Sequence, residues 1–347
     1  MAICISSRTV GREAPPFIIA EMSGNHNQSL ERALEIVEAA AKSGAHALKL
    51  QTYTAETMTL DLDKGEFFID DPKSLWKGSS LYKLYQQAYT PWEWHEPIMR
   101  RAKELGMACF STPFDETAVD FLESLTVPCY KIASFENTDI PLIQRVAATG
   151  KPMIISTDMA SMIAELDESV RAARETGCED LVLLKCTSTY PASPENTNLR
   201  TIPHMRELFG CEVGLSDHTT GIGAAVALGA TVIEKHFTLR RADGGVDSTF
   251  SLEPDEMAAL VLETERAWQA LGQVCYGATE AERGSLVFRR SLYIAEDMNA
   301  GDVLTRKNLR AVRPGHGLSP KYLEQLIGKK VNRAVKKGTP MQWELVG

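Results

Sequence analysis

Four motifs that usually betray a cofactor are missing from this 347-residue chain: no GxGxxG opens a helix after a strand, no GxxxxGK[ST] occurs, and neither HExxH nor CxxC is present. The first two absences remove support for dinucleotide and nucleotide triphosphate binding, and the last two remove the common zinc signatures. Positive charge is also short. Thirty-seven Lys and Arg stand against 46 Asp and Glu, a net charge of −9 with no compensating basic run, which argues against a nucleic-acid binder. An anionic substrate would have to be met by a few local cations. No apolar run reaches bilayer length, and the N-terminus has no charged head followed by a long apolar stretch, so the expected setting is the cytoplasm, without a membrane partner. The seven cysteines are odd in number and lack paired spacing; they read as small core residues in a reducing compartment.

What is present is alternation. Short apolar runs at Phe17–Ala20, Ala45–Leu50, Met107–Ser111, Cys129–Ala133, Pro152–Ile155, Leu181–Lys185, Cys211–Leu215 and one starting at Thr231 read as strands. Helical patterns follow them, among them Ser29 onward, Pro91–Leu105, Asp115–Ser124, Ile140–Thr149, Ser161–Thr176, Asn198–Leu208, Gly221–Gly229 and Pro254–Leu271. Eight even β–α units predict an α/β protein of the TIM type, a (β/α)8 barrel, over residues 1–276. A doubly wound open sheet is the rival, disfavoured by the missing glycine fingerprint. From Tyr53 to Thr90 the periodicity fails; the stretch reads either as an insertion covering one end of the sheet or as a solvated excursion with a short helix at Leu81–Ala88. From residue 277 to 347 short strands broken at Gly and Pro indicate a linker and a small second module.

In such barrels reactive groups gather at the carboxyl ends of the strands. Here those ends carry Glu21, Lys49 with Gln51, Ser111 with Thr112, Lys131 with Ser134, Ser156 with Thr157, the run Lys185–Tyr190, Ser216 to His218, and Glu234 to His236. Lys49, Thr112, Lys131, Ser134, Ser156 and Ser216 would offer ammonium and hydroxyl donors to a phosphate or carboxylate. Taken singly, each serine has a plainer reading as a turn residue or helix cap. Lys131 is harder to dismiss, since a lysine within CYKIAS must reach the barrel mouth or be costly to bury. His218 and His236 end consecutive parallel strands, so a divalent transition metal can lie between them. Local sequence alone favours histidines simply hydrogen-bonded at strand ends, a preference that the barrel reverses. Glu21 and Asp247 are candidates for proton transfer or for holding sugar hydroxyls, and Tyr190 for capping a sugar face. Glu234 also fits an ion pair with a neighbouring lysine. Arg313, in VRPGHG, would act only if its module covers the barrel mouth.

The motifs IAEMSGNHN (Ile19–Asn27), LKLQTY (Leu48–Tyr53), FSTPFD (Phe110–Asp115), YKIAS (Tyr130–Ser134), IIST (Ile154–Thr157), GLSDHT (Gly214–Thr219), EKHFT (Glu234–Thr238) and RPGHG (Arg313–Gly317) resemble those of the sialic acid synthase family. That resemblance implies condensation of phosphoenolpyruvate with an acylamino sugar, and a barrel followed by an antifreeze-like SAF domain of β-clip type. It also implies a homodimer in which the C-terminal domains are exchanged, with Arg313 entering the partner's site. By the same resemblance His218 and His236 hold a divalent metal, most often Mn2+, with Mg2+ or Co2+ as substitutes. Lys49, Thr112, Lys131, Ser134, Ser156, Ser188 and Ser216 bind phosphoenolpyruvate, while Glu21, Tyr190, Asp247 and Arg313 surround the sugar. Glu21 and the two histidines are the implied catalytic residues. The variants AEMSGNHN, Ser188 in KCTSTYP and FSLEP (Phe250–Pro254) are similar to the branch that makes pseudaminic acid. Ser188 stands where sialic acid synthases carry asparagine, which puts that contact in question. Neuraminic and legionaminic acid synthases are the alternatives of like chemistry. A phosphosugar aldol-type synthase and a non-catalytic carbohydrate-binding protein are more distant rivals.

Overall fold

The computed structural model describes residues 3–72, 74–157, 162–190, 192–219 and 223–347. The chain divides into two units, Met1–Gly272 and Gln273–Gly347. In the first, eight parallel strands close a barrel, as the alternation predicts: β1 (Phe17–Glu21), β2 (Ala47–Thr52), β3 (Ala108–Pro113), β4 (Tyr130–Ile132), β5 (Met153–Ser156), β6 (Leu181–Cys186), β7 (Glu212–Asp217) and β8 (Val232–His236). Every residue of β1, β3, β5 and β6 is buried. One face of each strand fills the barrel and the other packs under helices, so apolar residues run on without a solvent-facing alternation.

The helices form for local reasons that are visible in their sequences. Leu30–Lys42 begins at Ser29, whose hydroxyl accepts from the Arg32 N–H at 3.2 Å, and it buries Ala33, Ile36, Val37 and Ala40 on one face. Asp115 caps Glu116–Ser124 through the Thr117 and Ala118 N–H groups. Two expected helices meet the limits of the described residues. Ser161 lies outside them and the helix there spans Ile163–Glu175; Gly221 lies outside them too, and Gly223–Leu228 is a 3-10 segment instead of the expected α-helix. An N-terminal hairpin, Ile3–Ile5 against Arg8–Val10, adds Ile3, Ile5 and Val10 to the barrel core. Strands of three residues are too short to show a period of two in sequence.

Register decides which side chains enter the barrel, because residues paired across parallel strands point the same way. Glu21 pairs with Lys49 and with His236, Gln51 pairs with Thr112, and Ser216 pairs with both Cys186 and Glu234. These all face inward, as does Lys131, which pairs with Ile154 two residues before Ser156. Gly214 sits on the same inward face; a methyl group there would lie 2.7 Å from Leu184 Cδ2 and against the Val232 carbonyl, so the close approach of β6, β7 and β8 requires glycine. The second unit carries an antiparallel pair, Ser291–Ile294 with Leu309–Val312, over its own core of Leu292, Ile294, Leu304, Leu309, Leu326 and Met341. Among the described residues no helix is long and apolar enough to cross a membrane.

Candidate active site

The inward residues at the carboxyl ends meet at a cavity of about 370 Å³. Lys49, Lys131, Ser134, Ser156, Ser188, Tyr190, Ser216, His218, Glu234, His236 and Asp247 line it. Glu21 and Thr112 are buried just behind that wall. Thr112 Oγ1 accepts from Lys49 Nζ at 3.3 Å, and a Glu21 carboxylate oxygen contacts the same ammonium. Arg313 belongs to the second unit.

At one part of the wall two lysines face two carboxylates. Lys131 Nζ donates to Ser156 Oγ at 2.7 Å and to the Ile132 carbonyl at 3.0 Å. Glu234 Oε1 accepts from Ser216 Oγ at 3.3 Å and lies 3.6 Å from Lys49 Nζ and 4.0 Å from Lys131 Nζ. Glu234 therefore pairs across the barrel with both lysines, and not with its chain neighbour Lys235, which faces outward. Burial opposes the charge on Lys49, but the carboxylates of Glu21 and Glu234 outweigh it and hold the ammonium above its usual pKa. For Lys131 burial prevails, with the Lys49 charge adding to it, and its pKa is lowered despite Glu234. Burial would raise Glu234, yet the charges of Lys131 and Lys49 hold it below the usual carboxylate range. Glu21 goes the other way: burial pushes its carboxyl up to about 7 against the pull of Lys49. Its Oε1 accepts from the Ser23 N–H at 3.0 Å and from Gln51 Nε2 at 3.1 Å. Ser134 and Ser188 hydroxyls lie 2.9 Å apart, so a serine at 188 completes a hydrogen bond within the wall.

Elsewhere on the wall the imidazoles of His218 and His236 approach with ring centroids 5.2 Å apart. His218 Nδ1 lies 3.0 Å from the Thr187 carbonyl, to which it must donate, leaving Nε2 with its lone pair. His236 Nδ1 is buried with no hydrogen-bond partner, and Asp247 Oδ2 stands 3.8 Å away. Burial holds both rings neutral, and at His236 the nearness of His218 and of the Lys49 ammonium also disfavours a proton. Two neutral imidazoles with free lone pairs fit a divalent metal whose remaining ligands are water or substrate oxygens. Among the described residues no group of three His, Cys, Asp or Glu is placed to hold one alone. Tyr190 packs against His218 at 4.6 Å, and Phe250 against His236 at 5.0 Å. Asp247 is raised by burial and accepts a hydrogen bond from Ser23 Oγ.

The stretch after Tyr53 is the covering insertion, not a solvated excursion: Met58, Ile69, Trp76, Leu81, Leu84 and Tyr85 reach the cavity. Trp76 Nε1 donates to the Val246 carbonyl at 3.1 Å. Gln51, which shares the end of β2 with Lys49 and is inward by parity with it, faces the cavity as well. Glu136 and Ser23 also face it and were not among the candidates. Glu136 lies in the loop after β4, where period and register give no signal.

Fold and site together define a (β/α)8-barrel enzyme working at the carboxyl ends of its strands. The chain belongs to the NeuB family, whose model matches residues 36–276, and a SAF domain is matched at 289–346. It is 44% identical over 329 residues to the pseudaminic acid synthase of Campylobacter jejuni, covering 94% of this chain and 95% of that one. The pseudaminic acid synthase of Helicobacter pylori is 40% identical over 94% of this chain and 96% of its own length. Among solved structures, an N-acetylneuraminic acid (sialic acid) synthetase from Leptospira borgpetersenii superposes with a TM-score of 0.73 at 29% identity, covering 82% of this chain and 95% of that one.

Proposed function

We propose that the chain is a pseudaminic acid synthase, joining phosphoenolpyruvate to 2,4-diacetamido-2,4,6-trideoxy-L-altrose and releasing phosphate by C–O cleavage. The observation that carries this reading is the pairing, in one cavity, of two neutral imidazoles with free lone pairs and two buried lysines. Identity to the pseudaminic acid synthases and the variants at Ser23, Ser188 and Phe250 favour this acceptor over those of the neuraminic and legionaminic enzymes.

His218 and His236 would hold a divalent cation, manganese in first place with magnesium or cobalt as substitutes, to supply Lewis-acid polarisation of the sugar aldehyde. Lys49 and Lys131, with Ser134, Ser156, Ser188 and Ser216, receive the phosphate and carboxylate of phosphoenolpyruvate; Thr112 steadies Lys49 from behind. Asp247, Tyr190 and Glu21 position the sugar so that its aldehyde carbon faces carbon 3 of the enol. Carbon 3 forms the new bond, and water adds at carbon 2. Glu21, with its carboxyl pushed up to about 7, takes the proton from that water near neutral pH. The tetrahedral species then expels phosphate with its bridging oxygen. In heavy-oxygen water the label should enter carbon 2 of the product and be absent from released phosphate; label in the phosphate would refute this route.

We further infer a cytoplasmic homodimer in which Arg313 serves the partner subunit's site. Mixed under conditions that allow subunit exchange, inactive Arg313→Ala and Lys131→Ala proteins should regain activity, because one site of each mixed dimer carries neither change. No recovery despite demonstrated mixing would assign Arg313 to its own chain or to none.

A further inference from the structure

The helix Leu81–Ala88 has an unusual burial pattern for an apolar-striped helix: none of its residues is buried. Its sequence, LYKLYQQA, places Leu81, Leu84, Tyr85 and Ala88 at the i, i+3, i+4 and i+7 positions of a single face. Such a stripe normally packs into a core. Here all four residues line the cavity, and Met58 and Ile69, from the same insertion, extend the apolar flank. The helix is held at its N-terminus, where Ser80 accepts from the Lys83 N–H at 3.3 Å, and beside it Tyr53 sets its ring edge-on to Tyr85 at 5.8 Å. The stripe is therefore positioned to face a ligand.

We infer that this face is the specificity surface that selects an acceptor whose chain ends in a methyl group over one that ends in a hydroxymethyl. The inference rests on the reading that an acylamino sugar and phosphoenolpyruvate react in this cavity. Given that, the aldehyde carbon has to meet the enol beside the lysines and histidines. The far end of the six-carbon chain is what remains to contact an apolar flank. A 6-deoxy sugar presents a methyl there, which the leucines can cover without leaving a polar group unpaired. A 6-hydroxy sugar would bring a hydroxyl to a surface where Leu81, Leu84, Met58 and Ile69 offer no hydrogen bond and the Tyr85 phenol is the one polar group of the stripe, and beside the leucines it would lose its water on entry.

The test compares 2,4-diacetamido-2,4,6-trideoxy-L-altrose with its 6-hydroxy analogue, each scored by turnover and the analogue also as a competitive inhibitor. Wild-type protein should prefer the 6-deoxy sugar by about tenfold to two-hundredfold, the range that one apolar group commands in a fitted pocket. Leu84→Asn and, separately, Leu81→Asn should lower that preference at least about tenfold, with the KM for phosphoenolpyruvate unchanged; Leu84→Met should keep it. Because neither leucine is fully buried, the asparagine variants are expected to fold, and their thermal midpoints check this. Equal losses on both acceptors, or a loss that follows phosphoenolpyruvate, would overturn the inference. If wild-type protein turns over neither sugar nor any other acylamino hexose, the proposed function itself fails, which is a separate result.

Discussion

Ser23 holds a left-handed backbone conformation, φ +47°, that suits glycine better than serine, and does so with its side chain buried. Its hydroxyl donates to Asp247 and its N–H donates to Glu21, so one strained residue ties together two carboxylates proposed to surround the sugar. Ser23→Gly separates the two jobs. Backbone strain of roughly 1–3 kcal/mol is relieved while a hydrogen bond of about 1 kcal/mol is lost, so the thermal midpoint should stay level or rise. Freed from the hydroxyl, Asp247 should hold the acceptor less well. We expect the sugar KM to rise about tenfold, a change of ~1.4 kcal/mol, with that for phosphoenolpyruvate unaltered. A lower midpoint with unchanged KM would make the serine purely structural. At this scale the sequence was readable wherever parity could be carried along a strand, which is how Lys49, Lys131, Ser156, Ser216 and both histidines come to one cavity. It was unreadable where a side chain's partner lies several strands away. The contact of Glu234 with Lys49 and Lys131 spans the barrel, and the nearby Lys235 is the wrong partner by one residue and therefore by one face.

Between elements, the important joint lies behind β7 and β8. Asp217 and Lys235, the residues just before His218 and His236 respectively, point outward and pair at 2.8 Å, with Thr219 Oγ1 donating to the same carboxylate at 3.0 Å. Both ionic residues are almost wholly inaccessible. The pair thus straps together the two strands that present the imidazoles. Removing one partner strands a buried charge, which typically costs about 3–5 kcal/mol, whereas replacing both with apolar groups is often near neutral. Lys235→Met should accordingly lower unfolding stability in urea by about that amount, and Asp217→Leu combined with Lys235→Met should recover most of it. If the strap also sets the spacing of the rings, manganese affinity measured by spin resonance on the metal-free protein should stay weakened in the stable double variant. Wild-type affinity there would confine the pair to stability. Elements were legible from period and caps, as Ser29 and Asp115 illustrate. The seventh crossover was misjudged because Gly223–Leu228, rich in small apolar residues, gives the same pattern for an α-helix and for a tighter 3-10 turn.

For the molecule as a whole, closure of the barrel was legible because eight even units leave few other architectures, while the N-terminal hairpin was not. Closure also buries titratable groups far from the cavity wall, and this sets how stability should respond to acid. His26, His46 and His95 are each lowered from 6.5 to about 4, chiefly by burial, with the charges of His95 and Arg8 adding to it at His26 and His46. Hydrogen bonds explain why a proton is unwelcome: His46 Nδ1 accepts from the Ile18 N–H at 3.0 Å and His26 Nδ1 from the Gln28 N–H at 3.1 Å. His95 Nε2 lies 2.8 Å from the Thr52 hydroxyl, its other nitrogen facing the Pro91 carbonyl at 3.3 Å. Because the folded pKa is the lower one, the unfolded chain takes up these protons first. Each histidine therefore withdraws stability as pH falls from about 6.5 to about 4, by roughly 3 kcal/mol at most. Glu21 and Glu136 act in the opposite sense, since burial raises both from 4.5 to about 7 and protonation then favours the fold between those values. The glutamates offset part of the histidines' loss down to about pH 4.5, below which the histidines still act and Glu234, held below the usual carboxylate range, adds to the loss. Urea unfolding should thus give a shallow decline in stability from about pH 6.5 to 4.5 and a steeper one beneath it. His95→Gln, which keeps a hydrogen-bonding group of similar size, should lessen the total loss between pH 7 and 4 by about 3 kcal/mol. Parallel pH curves for this variant and the wild type would show that His95 does not carry the acid sensitivity.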